Sequence, residues 1–302
     1  MVQHERFQTV ESQLNWNAPM YRLYEKAKKN YWDPANIDFS QDQEDYQNMS
    51  SMDRMFALPL VGAFAAGEEA VTLDILPMLE VMARQGRLED TMFLTTFLHD
   101  EAKHTEMFSR WQTAVGVADL DLHNFHNDDY KRVFYQELPE KMDRLKTDDS
   151  PEAIIRAATV YNMIVEGTLA ESGYHAFRQI FKEAGLMPGI LKGIDLLNQD
   201  EGRHLQFGIF TIQRLVAGND KLMKVFHDYM DELSPYAFGF VDYLTGLFEE
   251  TKKHEWVDMT LKVDPNLMKE YARSQFDIRK SKVERARKYE SGAELEAAAT
   301  KQ

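Results

Sequence analysis

Two stretches of the chain repeat one arrangement of side chains that could hold metal. In TTFLHDEAKHTEM (95–107) Glu101 stands three positions before His104, and in LLNQDEGRHLQFG (196–208) Glu201 stands three before His204. Residues three apart share one face of an α-helix, so each stretch presents a carboxylate and an imidazole in the same direction. Those faces are otherwise apolar, with Leu94, Phe97, Leu98 and Phe108 around Glu101 and Ile194, Leu197 and Leu205 around Glu201. An isolated charge in an apolar interior is prohibitively costly, so such carboxylates must be protonated, paired or bound to a cation. Count alone decides little, because roughly one Glu-x-x-His pair is expected by chance in a chain with this many histidines.

A second echo gives the pairs their meaning. Glu68 lies 33 positions before Glu101, and Glu166 lies 35 before Glu201, each in an apolar helical run. Two helices that each give one Glu, and two that each give Glu-x-x-His, build a di-iron or di-manganese carboxylate site inside a four-helix bundle. Glu68 shares its stripe with Val61, Phe64, Val71 and Ile75, whereas neighbouring Glu69 shares a less bulky stripe, so Glu68 is the expected ligand. Carboxylate-rich ligands with one imidazole per metal suit iron or manganese better than zinc, and accept two irons or two manganese ions equally. Such a pair can pass two electrons to dioxygen, which admits substrate oxidation, radical generation or iron oxidation for storage. Asp74 and Asp100 are expected to support the site or lie at the surface, a hydrogen bond from a ligand histidine to a carboxylate such as Asp100 being normal chemistry. Glu171 and His175, four apart, have no evident partner on another helix and read as peripheral.

Positioning six ligands requires long helices, and the caps and breakers mark them. A short helix is expected at 20–30. Ser50 with Asp53 opens a run over 51–84, kinked at Pro59 and Pro77 and stopped by Gly86. The next runs over 88–115 to Gly116, and polar residues 119–149 form a linking segment. Ser150-Pro151 opens a third helix reaching about 184, a fourth spans 189–217, and a fifth 221–253 bends at Pro235. A last helix runs from 265 toward 290, its end RKSKVERARKYE solvated or frayed, and 291–302 are expected to be a disordered tail. No strand pattern is present. The expected architecture is one all-α domain over residues 1–290, a four-helix bundle with additional helices.

Composition narrows the surroundings. The 302 residues are 44% hydrophobic and 28% charged, ordinary values for a globular chain able to bury a sizeable core. A net charge of −15 argues against nucleic acid or an anionic membrane as partner. The absence of cysteine excludes disulfides, thiolate metal sites and cysteine nucleophiles. MVQHERFQTV has no apolar signal core, and the apolar run at 56–66, interrupted by Pro59 and Gly62, is expected to fall short of a membrane span. A cytoplasmic location is expected.

The stretches AGEEAVTLDILP, DEAKHTEMFSRWQ, ATVYNMIVEGTLAESGY and DEGRHLQFG resemble the ligand-binding oxidases that are similar to the ribonucleotide reductase small subunit. The likeness runs from FQTV near the start to about Tyr236. It implies a ferritin-like fold, a homodimer and a mixed manganese–iron centre. Glu68, Glu101 and His104 would hold manganese, Glu166, Glu201 and His204 iron, with Glu101 bridging. It further implies a long-chain fatty acid bound over the metals, and dioxygen activation that joins Tyr161 to Val71 through an ether bond. Val71 lies three after Glu68 and so shares its face, and Tyr161 lies about one turn before Glu166. The competing enzyme is a ribonucleotide reductase small subunit with a metal-based radical, since Phe108 occupies the position where that family commonly carries its radical tyrosine. A ferritin-type iron store fits the fold but not the length.

Overall fold

The computed structural model describes residues 7–252 and 260–301, and every regular element among them is helical. The first site-bearing helix starts where Ser50 Oγ accepts the Asp53 amide at 3.0 Å and runs as Ser51–Asp74. Pro59 is absorbed inside it. The chain breaks at Ile75 and resumes as Leu76–Arg84, with Pro77 in the first turn, where its missing N–H costs nothing. Gly86, at φ 68°, turns the chain into the Leu88–Val115 helix, which packs along Ser51–Asp74. The whole run from Ser51 to Arg84 is long and apolar enough to cross a membrane, contrary to the shorter estimate from residues 56–66. More than half of its most apolar window is buried within the protein, as expected for a core helix with Glu68 on its inner face.

The third helix departs from expectation. Ser150 caps it and Pro151–Ala158 is α-helical, but Thr159–Ala170 widens into a π-helix before α geometry returns at Glu171–Phe177. A π-turn closes onto the carbonyl five residues back and is a rare, locally costly conformation. Here the Glu171 amide reaches the carbonyl of Glu166.

The fourth helix, Pro188–Val216, begins after Met187 in the left-handed region at φ 57°. Its unpaired first amides are met from another element, the Ser40–Asn48 helix. Asp42 accepts Gly189 N and Ile190 N at 2.7 Å each, and Asp45 accepts Met187 N at 2.7 Å. Negative charge at a helix N-terminus is favourable, and the same Asp42 carboxylate accepts Trp111 Nε1 at 2.9 Å, tying the second and fourth helices together.

Two further helices, Asp220–Lys252 and Pro265–Glu284, cover the widened stretch; the expected end of the former at Lys253 lies outside the described residues. The basic segment expected to be solvated is instead anchored, with Arg279, Val283 and Ala286 buried. The expected disordered tail is also corrected: Gly292–Thr300 is a helix, Ser291 accepts the Glu294 amide, and Leu295 is buried against the fourth helix. Arg87 pairs with Glu296 at 2.7 Å and Arg22 donates to Ala299 O at 2.8 Å, which hold this helix in place.

Candidate metal centre

Glu68, Glu101, His104, Glu166, Glu201 and His204 are all buried, and the four long helices bring them to one place. One ligand atom from each of Glu68, Glu101, His104 and Glu201 lies within 4.8 Å of the others, as does one from each of Glu101, Glu166, Glu201 and His204. Glu69, one residue on, is exposed. Glu101 directs Oε2 to His104 Nδ1 at 3.4 Å and Oε1 to His204 Nδ1 at 3.1 Å, so it spans both groups. Glu201 spans them too, at 3.6 Å from His104 Nδ1 and 3.4 Å from His204 Nδ1. The spacing of residues did not reveal this second bridge. The two differ in one respect: Glu201 Oε1 accepts from Tyr174 Oη at 3.3 Å, while both Glu101 oxygens are without a hydrogen bond among the described residues.

That vacancy of partners is general across the cluster. Glu101 Oε1 and Oε2, Glu166 Oε1, Glu201 Oε2, His104 Nδ1 and His204 Nδ1 are buried and lack hydrogen bonds among the described residues. Buried polar atoms are ordinarily satisfied, and so many orphans aimed at one another fit a pair of hard cations with oxygen and imidazole ligands.

The far nitrogens of the two imidazoles face carboxylates in a crossed arrangement. His104 Nε2 stands within hydrogen-bond reach of Asp200 at 3.3 Å, and His204 Nε2 faces Asp100 at 3.5 Å without a hydrogen bond among the described residues, so each ring faces the residue preceding the other helix's Glu. Arg203 bridges the two aspartates at 2.7 and 2.5 Å, and Lys103 does the same at 2.8 and 3.1 Å. Trp32 Nε1 donates to Asp200 at 2.7 Å, and Phe97 stacks on the His204 ring at 3.6 Å. Such outer contacts fix ring orientation and raise ligand basicity. Asp100 therefore supports the site. Asp74, at the end of its helix, is not part of the cluster. Glu171 and His175 also stay outside it, the first paired with Arg279 and the second stacked on Tyr271.

Burial sets the protonation of the metal-free cluster. It pushes Glu68 up to about 8, against the opposing pull of His104, and lifts Glu166 well above the carboxylate range, with Glu201 adding to the effect. Burial also opposes charge on Glu101, but the two imidazoles beside it outweigh that and hold it at about 2. Burial opposes charge on His104 and His204 as well, yet the surrounding carboxylates outweigh it and raise both above an ordinary imidazole. At neutral pH Glu68, Glu166 and the two imidazoles hold protons that metal must displace. Proton release on metal uptake is therefore expected, and affinity should rise about tenfold per pH unit for each proton displaced between pH 6 and 8. Titration in weak buffer with a pH indicator checks this; uptake without proton release contradicts it. The sign for stability agrees. Raised folded-state values mean that stability is fully present below the unfolded values and is lost as pH rises through the folded ones. The metal-free protein should thus weaken toward pH 8 and the metal-loaded protein should not.

Above the carboxylates lies a narrow apolar cavity of about 50 Å³. Its walls include Gly67 and Val71 from the first helix, Val165 and Ala170 from the widened stretch, Phe134 from the short helical turn Arg132–Glu137, and Phe240 from the Asp220–Lys252 helix. Glu68, Glu101, Glu166 and Glu201 form its polar floor. Tyr161 Oη donates to the Val71 carbonyl at 3.1 Å, which sets the phenol beside that valine.

The model of the ribonucleotide reductase small chain matches residues 14–292. A solved structure described as "R2-like ligand-binding oxidase with aerobically reconstituted Mn/Fe cofactor (long soak)" is 60% identical, with 93% of this chain and 98% of that one covered at a TM-score of 0.89. The chain belongs to the ribonucleotide reductase small-chain family, among its R2-like ligand-binding oxidases. A point variant of such an oxidase, with an anaerobically reconstituted Mn/Fe cofactor, is likewise 60% identical, at a TM-score of 0.88 over 93% of this chain and 98% of that one.

Proposed function

We propose that this protein is a manganese–iron oxidase that activates dioxygen for two-electron oxidation of a hydrophobic ligand carrying a carboxylate, such as a long-chain fatty acid. The observation that carries this reading is an apolar cavity whose floor is the orphaned carboxylate cluster. Glu68, Glu101 and His104 would hold one metal and Glu166, Glu201 and His204 the other, with Glu101 shared. When bound, the pair supplies two-electron chemistry with dioxygen. The protein's part is to orient the imidazoles through Asp100 and Asp200, to exclude water with the Phe97, Phe134 and Phe240 rings, and to accommodate an apolar chain against Gly67, Val71 and Ala170.

The same reading includes an ether bond from Tyr161 Oη to Val71 Cβ. Its formation removes the phenolic hydrogen and the valine Cβ hydrogen, two protons and two electrons in all, which dioxygen accepts. Burial, and after it the nearby carboxylates, push the Tyr161 phenol well above its usual value, so its proton stays in place until the oxidation occurs. We also read the protein as a homodimer, to which the exposed Leu73 and Leu76 would contribute apolar surface.

Filling the cavity tests the ligand. Ala170→Phe places a ring where the ligand chain would run, while leaving all six cluster residues intact. Lipid extracted from the purified variant and identified by mass spectrometry should fall at least about tenfold, since each lost buried methylene is worth about 0.8 kcal/mol. Metal content should stay at two per chain. Undiminished lipid in the variant, or no lipid in the parent, removes the fatty-acid reading.

A further inference from the structure

Arg279 lies in the Pro265–Glu284 helix, far in sequence from the cluster, and is only 4% exposed. A buried guanidinium usually lies flat against a carboxylate with two parallel hydrogen bonds. This one gives its Nε to a backbone carbonyl, Gly167 O, at 3.0 Å. Its terminal nitrogen reaches Gln275 at 2.9 Å and Glu171 at 3.4 Å.

The wide turn changes which amide the Gly167 carbonyl can accept. In an α-helix it would accept the amide four residues on, that of Glu171. That amide instead bonds to the carbonyls of Glu166 and Thr168. A buried carbonyl without a donor costs free energy comparable to a lost hydrogen bond, so a donor from another helix favours the register in which the Glu171 amide is committed elsewhere. Arg279 is that donor. Residue 167 has to be glycine for it to approach: a Cβ there would stand 2.8 Å from Arg279 Nε and 2.8 Å from the Asn162 carbonyl. By touching both Gly167 and Glu171, the guanidinium clamps the chain across the junction where π geometry returns to α.

Glu166 immediately precedes the clamped carbonyl, and Asn162 Nδ2 donates to its Oε2 at 2.7 Å. Successive residues of an α-helix are rotated by roughly 100°, so a one-residue change of register between Glu171 and Glu166 would swing that carboxylate away from Glu101 and His204. We propose that Arg279 is a positioning residue, which holds the Thr159–Ala170 stretch in its wide register and so aims Glu166 at the second metal position. The consequence for metal rests on Glu166 being a ligand, as set out above; the consequence for the register does not.

The test compares the metal-free protein with Arg279→Met, which keeps bulk and loses the donors, and Arg279→Lys, which keeps one donor group. Amide hydrogen exchange over residues 163–172 is expected to run at least tenfold faster in the Met variant and to an intermediate extent in the Lys variant. Exchange in the Leu88–Val115 helix should not change. Titration with manganese(II) and iron(II) without oxygen should show two ions bound by the parent, and the second ion bound at least tenfold more weakly by the Met variant. Unchanged exchange in both variants overturns the proposal. So does acceleration spread evenly over the bundle, or a Met variant too unstable to isolate together with a Lys variant that exchanges like the parent. A parent that binds no metal pair counts against the metal reading alone, and the exchange data still decide the role of Arg279.

Discussion

Glu101→Gln is expected to load at most one metal ion per chain when manganese(II) and iron(II) are supplied without oxygen, against two for the parent. Glu101 is buried, faces both imidazoles and has two oxygens without hydrogen bonds among the described residues, so one amide substitution takes the anionic charge away from both groups at once. It also leaves an amide N–H₂ aimed at cations, which no rotation fully avoids. Glu201→Gln should be milder, because Tyr174 already occupies one of the Glu201 oxygens. Metal counting by elemental analysis after desalting distinguishes them. Two metals retained in the Glu101 variant would remove it as the bridge and give that part to Glu201.

The second large effect comes from a position with no ligand atom. Gly208, one turn after His204, lies so close to the widened helix that a Cβ would stand 2.2 Å from Asn162 Cβ and 2.6 Å from its Oδ1. The obstructing atom is Asn162 Cβ, fixed to the backbone, so it cannot swing aside. Gly208→Ala is therefore expected to cost about 3 kcal/mol, the upper end for overpacking a core. It should also break the Asn162 hydrogen bond to Glu166. Urea unfolding measures the first and metal affinity the second. A variant as stable as the parent, with both metals bound, would show that the two helices are not packed as described.

How much of this could be read beforehand depended on how local each feature is. Glu-x-x-His needs only one turn of helix, so Glu101 with His104 and Glu201 with His204 were legible from spacing, and the upstream Glu68 and Glu166 from the echo between halves. The crossed support was not, because which aspartate meets which imidazole depends on how two helices pass each other. A signal for it was nevertheless present: DEAKH and DEGRH share an acid before the Glu and a cation before the His, and Asp100, Asp200, Lys103 and Arg203 are the residues that interlock. The wide turn left no such mark. TVYNMIVEGTLA is largely apolar, broken chiefly by Asn162 and Glu166, and its register relies on Arg279, 112 residues beyond Gly167. The C-terminal helix was misread for a different reason. Ser291 and Glu294 have the spacing of a helix start, and alanine and glutamate propagate it, but a short polar end looks disordered until Leu295 finds a surface to pack on.

The central claim is that this cavity floor drives oxygen chemistry. Its most direct test is peptide mass spectrometry of protein loaded with manganese and iron without oxygen, before and after exposure to air. The predicted result is a new species after air that joins the peptides carrying Val71 and Tyr161 and is two hydrogens lighter than their sum, absent from protein kept without metal. Two metals bound with no such species after air would contradict the account and turn attention to a metal-based radical in a ribonucleotide reductase small subunit.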